Sequence, residues 1–88
     1  LYGVVHLPPL PGSPGWVAAG RPSTRSLVEH AVADARAFLA AGFDGLIVEN
    51  YGDVPFFKDA VPPETVAALT RCAAAVVDVC GDRPVGIN

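Results

Sequence analysis

Three short apolar runs frame this chain: Tyr2 to Leu7, Leu46 to Val48 with Glu49, and Val85 to Asn88, each bounded by Gly, Pro or Asp. They recur about 40 residues apart, and a helical pattern fills each interval. The first helix is expected to open at Ser26, where Ser26-Leu27-Val28-Glu29 reads as a capping box, and to run to about Ala41. Val28, Ala31, Val32, Ala35, Phe38 and Leu39 share one of its faces, and Gly42 stops it. The second opens after Pro62-Pro63 with Glu64 in its first turn. Val66, Leu69, Ala73, Val76, Val77 and Cys80 form its apolar stripe before Gly81. The order is therefore β-α-β-α-β.

Strands joined through helices in this way need right-handed crossovers and a parallel sheet, so the fold class is α/β, either doubly wound or a (β/α)8 barrel. Three strands complete neither. A barrel takes about 250 residues, so these 88 residues match the N-terminal portion of one: a single partial domain over 1–88 with the first three strands and two helices. The chain has no methionine, and Leu1 stands directly before the first strand, as expected of a fragment. Such a piece leaves part of its sheet uncovered.

Composition removes several functional classes. Hydrophobic residues make up 51% and charged residues 17%, with a net charge of −3, so no basic patch exists to track a nucleic-acid backbone. No apolar run approaches the roughly 20 residues of a transmembrane segment, and none has the flanks of a signal peptide. Cys72 and Cys80 lie eight apart on one helix, about 12 Å along its axis, too far to pair with each other. Two free thiols fit a reducing compartment, and the expected location is cytoplasmic.

Loop lengths show where function gathers. About 18 residues separate the first strand from its helix and about 13 the second, whereas each helix returns through three or four. The long loops share the end beyond the carboxyl termini of the strands, where α/β folds place ligand sites. Alternation sorts the side chains: Tyr2, Val4 and His6 on one face, then Ile47 with Glu49, then Gly86 with Asn88. Val5, Leu7, Leu46, Val48, Val85 and Ile87 are expected to pack against the helices. His6, Glu49 and Asn88 then converge at one rim as a histidine, a carboxylate and an amide, the parts of an acid–base site.

Four stretches, "GVVHLPPLPGSPG", "DGLIVENYGDVPFFKD", "VPPETVAALT" and "PVGIN", together resemble the BtpA/SgcQ family and cover most of the chain outside the first helix and its approach. The resemblance implies a TIM barrel of the ribulose-phosphate-binding type. In photosynthetic organisms it implies a role in biogenesis or stability of photosystem I as a peripheral thylakoid protein; another member belongs to a sugar-utilisation gene group. The phosphate grip of such barrels comes from loops after the seventh and eighth strands, which this sequence does not reach, so phosphate binding rests on the resemblance.

His6 and Glu49 are the candidate catalytic residues, and Asn50, Asp53, Lys58, Asp59 and Asn88 the candidate substrate-binding residues. Plainer readings stand beside them. His6 fits a hydrogen-bonded histidine at a strand end, Asn50 and Asp53 fit turn residues around Gly52, and Lys58 with Asp59 fits a solvated loop pair. Glu49 directly follows Leu-Ile-Val, where a carboxylate is costly without a partner. His6, Glu49, Asp53 and Asp59 match no metal-ligand spacing, so neither metal nor cofactor is assigned. The "PPLP" run fits a stiffened rim, with docking onto an SH3 or WW groove as the competing use; Trp16 either covers a ligand or anchors the loop.

The expected function is binding or conversion of a small sugar-, nucleoside- or phosphate-containing compound at the carboxyl-end rim, with enzyme or binder left open. The alternative is a non-catalytic, membrane-extrinsic assembly or stability factor working through its surface. Self-association into a homo-oligomer is also left open.

Overall fold

The computed structural model of the chain describes residues 1–50 and 61–88. Strands β1 (Tyr2–His6), β2 (Gly45–Glu49) and β3 (Val85–Ile87) form one sheet in the order β1-β2-β3, with both pairings parallel. The ladder runs slightly past the strand ends: the Leu7 N–H donates to the Glu49 carbonyl at 2.9 Å, and the Asn88 N–H to the Val48 carbonyl at 2.9 Å. Helix α1 (Pro14–Ala18) is a single short turn within the first long loop, a third helix where two were expected. Its N-cap is Ser13. Helices α2 (Thr24–Ala40) and α3 (Pro63–Cys80) make the two crossovers.

Strand alternation decides which face of the sheet the helices cover. Val5, Leu7, Leu46 and Val48 are at most 2% exposed and join Leu27, Ala31, Ala35, Ala68, Cys72, Val76 and Cys80 in one core. Gly3 is needed on this face. A Cβ there would sit 2.5 Å from the Phe38 ring, so the missing side chain lets α2 lie close on β1.

Four expectations are corrected. The cap of α2 is Ser23, whose hydroxyl accepts the Ser26 N–H at 3.1 Å; starting at Thr24 places Ser26 inside the first turn and lets Leu27 be buried. In α3 the covered stripe is Thr65, Ala68, Cys72, Val76 and Cys80: Val76 and Cys80 are buried and Leu69 packs on the core as expected, while Val66 and Val77 stay about half exposed. The apolar arc of α3 is wide enough for two rotations. Thr65 favours this one because its hydroxyl, buried with the side chain, donates to the Pro11 carbonyl at 2.5 Å.

The third correction concerns Ile87. It pairs with buried Val48 and so occupies the helix-facing side, yet it is 53% exposed. Among the described residues no strand pairs with β3 on the side away from β2, and cover is missing there. The fourth is the helical turn of α1 itself. Val85, by contrast, packs half-buried against the core as expected.

Candidate functional site

The sheet register brings three of the sequence-derived candidates into one row. His6 pairs with Glu49 across β1 and β2, and Asn88 follows Ile87, the partner of Val48, so it stands one step along at the level of Glu49. Neighbouring parallel strands lie about 4.8 Å apart, which sets the spacing along the row. All three occupy the face opposite the buried Val5–Val48 set, at the carboxyl end of the sheet, where both long loops begin. Glu49 is half-buried, and His6 and Asn88 are exposed.

Elementary strand geometry accounts for this. Each strand ends with a polar residue in the same alternation class, and in-register pairing of parallel strands turns that shared parity into adjacency. An imidazole beside a carboxylate can pass a proton, and an amide can hold a ligand by donating and accepting. Asn50 follows Glu49 directly and is half-buried. Asp53, Lys58 and Asp59 lie outside the described residues. Among the described residues, no group of three or more His, Cys, Asp or Glu is placed to hold a metal ion.

His6 also lines a hollow of about 440 Å³ along the unpaired edge of β1, together with Val4 and with Asp34, Ala37 and Phe38 of α2. A second hollow, of about 530 Å³, opens between the first long loop and the start of α3. The proline run ends against this helix. Gly12, at a φ of +96°, approaches Thr65 so closely that a Cβ would lie 2.6 Å from its hydroxyl oxygen. Trp16 anchors its loop, because the indole N–H donates to the Pro22 carbonyl at 2.9 Å.

Comparison with known proteins agrees with this pattern of motifs and strands. The model of the BtpA family matches residues 1–88, the whole chain. The chain belongs to the BtpA family. Among curated relatives, this BtpA-family chain is 47% identical over all 88 residues to an uncharacterized protein of Pyrococcus furiosus, covering 31% of that protein. It is 42% identical over 88 residues to the photosystem I biogenesis protein BtpA of Synechocystis, covering 29% of it. A mitochondrial protein of Caenorhabditis elegans is 30% identical over 77 residues, 88% of this chain and 26% of that protein. The chain thus spans about a third of the length of the curated relatives it matches. No solved structure matches it.

Sequence reasoning missed Arg21, Glu64 and Thr65 as partners in one place. Arg21 and Glu64 line the second hollow although 43 positions apart, and Thr65 fastens its two walls. The local signal was faint: a threonine in a helical first turn, and an arginine between Gly20 and Pro22. No described helix of this BtpA-family chain is long and apolar enough to cross a membrane.

Proposed function

We propose that the full-length protein is a (β/α)8 barrel, located in the cytoplasm, that binds or converts a small sugar-, nucleoside- or phosphate-containing compound at its carboxyl-end rim. The row formed by His6, Glu49 and Asn88 carries this reading. It stands on the face of the parallel sheet opposite the buried Val5–Val48 set, at the end where such sheets hold ligands. In this reading Glu49 and His6 exchange a proton with the ligand, and Asn88 orients it. Asn50, Asp53, Lys58 and Asp59 are its further binding residues in this reading.

A second reading is favoured by one observation, the name of the Synechocystis relative, which is a photosystem I biogenesis protein. In that case the barrel is retained and its outer surface assists assembly, without turnover.

One experiment separates the two. Full-length Glu49→Gln and His6→Ala variants, shown to be folded by circular dichroism, are introduced into a strain lacking the gene. Loss of complementation by both, with turnover of any identified substrate reduced about 100-fold or more, supports the chemical reading. Full complementation by both would sink it and leave the surface reading. A thermal-shift screen of sugars, nucleosides and their phosphates on the full-length protein identifies the compound.

A further inference from the structure

The geometry points to a second ligand site, separate from the His6–Glu49 row, in the hollow between the first loop and α3, taking a small zwitterion built on an apolar ring such as an aromatic α-amino acid. The walls are Pro11, Pro14, Trp16 and Val17, with Arg21 and Glu64 at the same hollow. Its volume of about 530 Å³ admits a single-ring compound with room for solvent.

What the hollow offers a guest follows by elimination. The Ser13 hydroxyl donates to the Leu10 carbonyl at 2.8 Å and accepts the Trp16 N–H at 3.3 Å. The indole N–H is held by Pro22 at 2.9 Å, and the Thr65 hydroxyl by Pro11 at 2.5 Å. The neutral polar side chains are therefore engaged within the protein. Ring and proline surface remain among the described residues, together with one guanidinium and one carboxylate. Among the described residues neither Arg21 nor Glu64 forms an ion pair. Both side chains are exposed at the mouth of the hollow, so a guest with one anionic and one cationic group can pair with both, whereas a singly charged guest pairs with one. Trp16 supplies rigid apolar area for the ring.

The backbone holds these groups in place. Gly12 fits against Thr65 with no room for a Cβ, which locks the loop to α3. Arg21 has a φ of 52°, the one positive value at a non-glycine among the described residues, and its N–H donates to the Trp16 carbonyl at 2.9 Å. Arginine adopts this conformation at a cost that glycine or asparagine would largely avoid, and such outliers gather at binding sites. Arg21→Asn therefore removes the charge without disturbing the turn.

Calorimetry on the full-length protein tests the site with three probes: L-phenylalanine, 3-phenylpropionate and phenethylamine. Phenylalanine is expected to bind at least tenfold tighter than either singly charged analogue. Arg21→Asn should lower its affinity to that of phenethylamine, Glu64→Gln to that of phenylpropionate, and Trp16→Leu should weaken all three. His6→Ala and Glu49→Gln should leave phenylalanine within twofold of wild type, so this site stands or falls independently of the row. Equal or undetectable binding of the three probes overturns the proposal. So does an unchanged preference in Arg21→Asn and Glu64→Gln, or loss of phenylalanine binding in His6→Ala or Glu49→Gln.

Discussion

Gly3 shows how one residue sets a helix–strand distance. With the Phe38 ring 2.5 Å from where its Cβ would be, Gly3→Ala must push α2 away from β1 or turn the ring out of place. Overpacking of this kind costs about 1–3 kcal/mol, to be read as a lowered denaturation midpoint of the full-length protein. Cys72 and Cys80 make a second prediction at this scale. Burial pushes both thiols above the ordinary value of 9.0, only partly offset by Arg71 near the first and Arg83 near the second. A raised value in the folded state means that folding favours the protonated thiol. The stabilisation is therefore complete below the unfolded value and is lost as pH rises through the folded ones. Denaturation midpoints should fall above about pH 9, and replacing both cysteines by alanine should flatten that slope while lowering stability at neutral pH.

Helix ends and helix rotation were the least legible features at the scale of elements, and both have physical causes. Two serines three residues apart can each cap α2, and local pattern alone favours Ser26 through Glu29. Burial of Leu27 and the Ser23–Ser26 hydrogen bond decide for Ser23. Ser23→Ala should thus cost about 1 kcal/mol in thermal or chemical denaturation, while Ser26→Ala should stay within about 0.5 kcal/mol. The reverse order would restore the capping box. Rotation of α3 was hidden for another reason: Val66 and Val77 extend its apolar arc beyond what the sheet and α2 cover. A polar residue, Thr65, turns the helix because the Pro11 carbonyl satisfies it. Strand positions and the inward and outward parity of β1 and β2 were readable directly, since a period of two leaves no intermediate rotation.

At the scale of the whole molecule, the parallel sheet has an unpaired edge on each side among the described residues, because β1 and β3 each pair only with β2. Ile87 on β3 and Val66 and Val77 on α3 are exposed apolar side chains. Relatives about three times as long contain enough chain to cover them. The row of His6, Glu49 and Asn88 could be read from parity before the register was known, but Arg21 and Glu64 could not be joined, because only the folded first loop brings them to one hollow. In the proposed full-length barrel this row faces the interior at the ligand-bearing end. A crystal structure of the full-length protein tests it most directly. The expected result is eight parallel strands, with β1 and β3 each paired on both sides and the His6, Glu49 and Asn88 side chains lining a cavity at the carboxyl end. An open sheet, or a closed one in which those three side chains lie beneath helices, would contradict it.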